Sequence, residues 1–169
     1  MNGSETTIKN NTKHVICVDP SLVHWGYSVF TSGSWELVDF KTVDMSSKES
    51  RELRWWKIFQ TIDAIFEKYN VGLFLTEYQF GNKFDMSLLQ TVAICGIIGG
   101  KHNTEVRYIP PKSWKKWGVN NLNATKDDVK AVVRKKYPQL NEESEHVCDS
   151  VGMLLSYINN PEISKKKVK

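Results

Sequence analysis

The sequence has few of the features that mark secreted, membrane or fibrous chains. Three of its 169 residues are cysteine (Cys17, Cys95, Cys148), and no two are spaced C-x-x-C. An odd, scattered trio makes no disulfide framework, so a reducing compartment is expected and the thiols read as buried filler. No apolar run approaches the roughly 18–20 residues of a membrane span. Residues 1–13 are polar and lack the apolar stretch of a secretory leader, so the protein is expected not to be secreted. There are no internal repeats, and the single low-complexity piece is the lysine-rich tail. What is present is ordinary for one globular domain: 40% hydrophobic, 11% aromatic and 25% charged residues. That composition argues against a wholly disordered chain, and the length allows one sizeable core.

The net charge of +4 conceals an uneven distribution. Residues 101–138 carry ten Lys and Arg against three acids, a net +7, while residues 14–100 net −3 and 139–164 net −5. One basic stretch is therefore set in an acidic body. It reads either as a solvated surface or as the footprint of a polyanion.

Residues 14–19 form a short, nearly all-apolar run closed by an acid, the pattern of a buried central strand, and Pro20-Ser21 breaks it. Segments 26–30 and 35–43 read as further strands joined by the turn Thr31-Ser32-Gly33-Ser34. Apolar residues at three- and four-residue steps predict a helix over 50–69. A second apolar run ending in an acid fills 71–77, followed by a polar loop over 78–85. The stretch 86–100 is apolar on most faces and reads as a buried or interface helix. A short strand over 105–109 is stopped by Pro110-Pro111. Thr125, with Asp128 three residues on, looks like the start of a helix running to about Tyr137, and a last helix covers 142–158. The order β-β-β-α-β-α-β-α-α predicts an α/β fold.

The chemistry is expected where the acids close the strands. Asp19 and Glu77 each end an apolar strand and precede a loop, so parallel neighbours would place both at one sheet edge. His146 and Asp149 lie three apart on a helix and project from one face, while Val147, Cys148, Val151, Leu154 and Leu155 would pack that helix on the sheet. Three carboxylates and an imidazole at one point would repel or lose solvent unless cations neutralised them. Hard divalent cations want oxygen ligands, and a pair about 4 Å apart can activate water and steady the leaving oxygen of a phosphodiester. Basic residues alongside would hold the phosphate backbone. A metal-dependent phosphodiesterase is the economical reading.

The ordered motifs resemble the RuvC-type Holliday junction resolvases of the ribonuclease H superfamily. The matching pieces are Val18-Asp19-Pro20-Ser21, Gly26-Tyr27-Ser28-Val29 and Leu75-Thr76-Glu77-Tyr78-Gln79-Phe80. The helix over 87–100 and Pro111-Lys112-Ser113-Trp114-Lys115-Lys116-Trp117-Gly118 follow. Thr125-Lys126-Asp127-Asp128-Val129 and His146-Val147-Cys148-Asp149-Ser150 complete the set. The resemblance spans nearly all of 14–158 and implies a five-stranded mixed sheet flanked by helices. It also implies a homodimer that cuts opposed strands of four-way DNA junctions, leaving 5′-phosphate and 3′-hydroxyl ends.

Carried over by position, Asp19, Glu77, His146 and Asp149 would bind two Mg²⁺ ions, with Lys115 and Lys126 near the scissile strand. Phe80 would stack on an unpaired base, and Lys112, Lys116 and Lys130 would extend the DNA-binding surface. Ser21 stands where many members have Gly. His146 stands where many have Asp, which lowers the charge of the site and favours Mn²⁺ as a substitute. Glu145 faces about 100° away from His146 on a helix and ranks below it as a ligand. Lys115 is assigned to within one residue, since Lys116 adjoins it. The indoles of Trp114 and Trp117 read as packing under the sheet edge, with a nucleic-acid stacking patch as the alternative.

The implied organisation is an arm over 1–13, a nuclease domain over 14–160 and a basic tail over 161–169. The implied setting is cytoplasmic, or organellar or nuclear if the host is eukaryotic or viral, with no membrane partner. Three rivals stand beside this reading. One is a broader branched-DNA or flap endonuclease on the same fold. Another is a junction-binding protein without activity. The third is an actin-like kinase, whose second glycine-rich phosphate loop is missing here.

Overall fold

A computed structural model of the chain describes residues 12–78 and 86–163; Phe80, residues 1–11 and the lysine tail lie outside the described residues. Strand β1 (His14–Asp19) pairs antiparallel with β2 (His24–Thr31), and β2 pairs antiparallel with β3 (Leu37–Asp44). On the other side of β1 lie β4 (Val71–Glu77) and then β5 (Glu105–Ile109), both parallel to it. The order across the sheet is β3-β2-β1-β4-β5, a five-stranded mixed sheet with the apolar β1 at its centre.

Helices α1 (Arg51–Lys68) and α2 (Met86–Lys101) cover one face; α3 (Pro111–Gly118), α4 (Lys126–Lys136) and α5 (Glu145–Asn159) cover the other. The strand period of two sorts the core. Ile16, Val18 and Phe74 join Ile58, Ile62 and Ile98 beneath α1 and α2. Val15, Cys17, Leu73 and Leu75 join Trp114, Val133, Val151 and Leu154 beneath the other helices.

Several elements begin where local chemistry dictates. Ser50 accepts from Leu53 N–H to cap α1. Thr125 and Asp128 form the reciprocal capping box of α4, and Ser144 caps α5. That last cap sits three residues later than the hydrophobic period alone suggests, because Pro138–Leu140 takes a 3₁₀ turn first. The hairpin turn also extends through Trp35, whose φ of 59° keeps it out of β3.

Among the described residues the α-helix absent from the sequence reading is α3, where Pro110-Pro111 reads as a stop. Proline is tolerated in a helix's first turn because its missing N–H would have no helical partner there. Pro111 therefore opens a helix that buries Trp114 and Gly118. All three cysteines are free and buried, and burial pushes their thiols up, that of Cys95 to about 12. No described helix is long and apolar enough to cross a membrane.

Candidate active site

The strand period that places Cys17 and Leu75 beneath α5 also puts Asp19 and Glu77, two residues further along, on that same face. The parallel register pairs Val18 with Thr76, so the two acids stand side by side one step beyond, at the carboxyl edge of β1 and β4. They are 8% and 6% exposed, unusual burial for carboxylates. The first turns of α5 bring His146 and Asp149 to this edge. A close approach makes it possible: Gly26 pairs with Asp19 across β1 and β2, and a Cβ there would lie 2.5 Å from His146 C and Val147 N. Any side chain at position 26 would push α5 away from the acids.

Two hydrogen bonds tie the acids to the layer above them. His146 Nδ1 lies 2.8 Å from Asp19 Oδ2. With Asp19 ionised, Nδ1 carries the proton and Nε2 is the nitrogen left to bind a cation. Trp114 Nε1–H donates to Glu77 Oε2 at 2.7 Å.

The electrostatics are those of a crowded acidic site. Burial pushes the Asp19 carboxyl up, opposed by the hydrogen bond and positive charge of His146. The His146 imidazole is in turn raised, chiefly by that bond to Asp19 and against its own desolvation. Asp149 is pushed up to about 7 by burial and by the negative charges of Asp19 and Glu77; Lys115 and His146 act against the rise. A bound cation would relieve the same repulsion, and three carboxylates with one imidazole are a donor set suited to Mg²⁺ or Mn²⁺. The residues present therefore fit the divalent metal that the fold implies.

Among the described residues, a tight cluster of ligand atoms, all within 4.8 Å of one another, occurs elsewhere, at Asp63, Glu67 and His102 on the α1/α2 face. There Lys101 Nζ already contacts both Asp63 oxygens at 2.7 Å, so the cluster carries its own cation. The four residues at the sheet edge contain no three as tightly gathered.

The basic residues border the acids. Lys126, at the start of α4, pairs with Glu145, which raises its pKa and lowers that of the acid. Glu145 is thus paired with Lys126, while its charge still reaches Asp19 and His146. Lys115 Nζ donates to Ala124 O at 3.0 Å while its charge acts on Asp149; Lys116 lies over the Trp117 ring, 5.1 Å from its centroid. Of the two adjacent lysines, Lys115 is the one turned to the acids. Lys112 is exposed near the start of α3, and Lys130 is half-buried on α4 near Glu145. Trp114 is 1% exposed whereas Trp117 is 40% exposed, so the packing reading fits the first indole. Its bond to Glu77 was missed in the sequence because the two residues lie 37 apart and meet through tertiary packing alone.

This arrangement has relatives. The family model for "Crossover junction endodeoxyribonuclease RuvC" matches residues 15–157. The RuvC protein of Anaplasma phagocytophilum (strain HZ) is 28% identical over 153 residues, covering 85% of this chain and 93% of the relative. The Thermus thermophilus RuvC structure superposes with a TM-score of 0.73 at 19% identity, over 88% of this chain and 95% of that one. The same Thermus protein in complex with Holliday junction substrate gives 0.74 at 16% identity, with the same coverage. The ribonuclease H-like sheet with its flanking helices is thus shared along nearly the whole chain. With the family model spanning 15–157, this chain belongs to the RuvC family of crossover junction endodeoxyribonucleases.

Proposed function

We propose that this protein resolves four-way DNA junctions by divalent-metal-dependent hydrolysis, nicking two opposed strands symmetrically to leave 5′-phosphate and 3′-hydroxyl ends. The observation that carries the proposal is the convergence of Asp19, Glu77, His146 and Asp149 at one sheet edge, with Lys115 and Lys126 bordering them. Asp19, Glu77, His146 Nε2 and Asp149 would hold two Mg²⁺ ions, with Mn²⁺ as a substitute that the imidazole favours. When bound, such ions activate water and offset charge on the leaving oxygen.

The chain's own residues do the rest. Asp19 holds His146 in one tautomer and orientation. Lys115 and Lys126 fix the phosphate backbone, and Lys112, Lys116 and Lys130 on α3 and α4 continue the basic surface. Phe80, three residues after Glu77 in the sequence, would stack on a base exposed at the crossover.

Symmetric nicking needs two such sites, and a homodimer supplies them. On α2, Leu89, Ala93, Ile97 and Gly100 form one exposed stripe with no charge, and Ile97 is 62% exposed. Trp56, 55% exposed, stacks on Phe59, which Lys101 at the end of α2 also reaches, so the apolar surface continues onto α1. This face is our candidate for the contact between the two copies. The nuclease domain would then be residues 14–160, with 1–13 and 161–169 as flanking arms.

The test is a synthetic four-way junction incubated with purified protein, with and without Mg²⁺. Paired nicks at symmetric positions, seen only with the metal, are expected. Flaps and forks cut as fast as the junction would point to the broader branched-DNA nuclease, and binding without cleavage across a Mg²⁺ and Mn²⁺ titration would contradict the assignment of an enzyme.

A further inference from the structure

Trp114 sits at an unusual junction. Its ring is buried between the sheet and α5, against Gly152, where a Cβ would lie 2.8 Å from Cζ3 and 3.1 Å from Cε3. The backbone of α5 is thus flush with the indole one turn after Asp149. The ring's edge reaches across to β4, where Nε1–H donates to Glu77 Oε2 at 2.7 Å. One side chain therefore touches both the strand that carries one acid and the helix that carries another acid and the imidazole.

The polar bond is not an automatic consequence of burial. Trp25 Nε1 and Trp55 Nε1 are also buried, and neither has a hydrogen-bond partner in the structure. The Trp114 N–H is instead spent on a buried carboxylate. A hydrogen bond to a charged group is stronger than one between neutral groups, so this donor holds its carboxylate more firmly than it would a neutral oxygen.

We propose that Trp114 is a positioning residue for metal binding, its indole N–H fixing the rotamer of the Glu77 carboxylate at the edge shared with Asp19. The ring supplies the rigidity: its place is set by Gly152 and the N–H direction by the plane of the indole. A carboxylate on a flexible stem would otherwise lose rotamer freedom each time a cation bound. The proposal rests on the reading of Glu77 as a metal ligand.

The test compares Mn²⁺ binding to the full-length protein without DNA, followed by the loss of the free-ion electron paramagnetic resonance signal. Trp114→Phe keeps an aromatic ring and removes the donor. It is expected to weaken Mn²⁺ binding about 10–100-fold and to lower kcat while leaving KM for the junction within about twofold. In a Glu77→Gln background the same change is expected to add less than about a twofold loss, since the carboxylate it positions is gone. Replacing Trp114 with β-(3-benzothienyl)alanine, which fills the indole's space with sulfur in place of N–H, is expected to give the same loss as Phe. That variant carries the test if Phe proves too small for the fold. Wild-type Mn²⁺ affinity in the benzothienylalanine protein would overturn the proposal. If Glu77→Gln itself binds Mn²⁺ as tightly as wild type, the assignment of Glu77 as a ligand fails, and the role of Trp114 falls with it.

Discussion

Asp149 shows how one side chain can be set against the fold that holds it. Its carboxyl is pushed up to about 7 by burial and by Asp19 and Glu77, against an ordinary value of about 3.9 for an unfolded chain. The folded state therefore keeps a proton that the unfolded state loses first. The group's contribution to stability is full below about pH 4 and is lost as pH rises through 7, a difference of up to about 4 kcal/mol. Asp149→Asn should then raise the melting temperature of the metal-free protein by several degrees at pH 8 and hardly at all at pH 4.5. A pH-independent effect in calorimetry would contradict the crowding of the three acids. Asp19→Asn makes the complementary case. It should cut junction cleavage by about a thousandfold or more while junction affinity, measured by gel shift, changes less than about threefold. Asp19 and Glu77 could be picked out in the sequence because each interrupts a run of apolar residues at its last position. The pairing of Trp114 with Glu77, and of Glu145 with Lys126, could not, because no local pattern records which helix will cross which strand.

The elements place these side chains, and their spacing is set by small residues. Gly26 matters because β2 passes beneath the first turn of α5, where a Cβ would meet His146 C and Val147 N at 2.5 Å. Both are backbone atoms and cannot swing aside. Gly26→Ala should destabilise the protein by about 1–3 kcal/mol and weaken Mn²⁺ binding together with cleavage, as α5 carries His146 and Asp149 away from Asp19. Unchanged cleavage and an unchanged denaturant midpoint would show that α5 does not need this close approach. Hydrophobic patterning was sufficient to find the described strands and the longer helices, as unbroken apolar runs in β1 and β4, whose two faces are both covered, and as three- and four-residue steps in α1. It failed at α3, an eight-residue helix that opens on a proline. Two adjacent prolines look the same in sequence whether they end a strand or begin a helix.

For the whole molecule, the distribution of charge and apolar surface decides the partners. Apart from Lys101, which ends α2 and pairs with Asp63, the charge of residues 101–138 falls on β5, α3 and α4 and the loops that join them, a net +6, and the lysines of α3 and α4 flank the acids. The uncharged stripe of α2 lies on the opposite side of the sheet. DNA on one side and a second copy on the other can therefore be held together. Ile97→Glu places a charge in the centre of that stripe. It should convert the proposed homodimer to a monomer in sedimentation equilibrium and reduce paired nicks to slow single nicks, with the fold unchanged by circular dichroism. A protein that remains dimeric would move the contact elsewhere.

The most direct measurement is the anomalous scattering of Mn²⁺ in crystals of the wild-type protein. Peaks bounded by Asp19, Glu77, His146 and Asp149 are expected, and they should vanish in Asp19→Asn. Density at Asp63, Glu67 and His102 with none at the edge of β1 and β4 would contradict the assignment of the metal site.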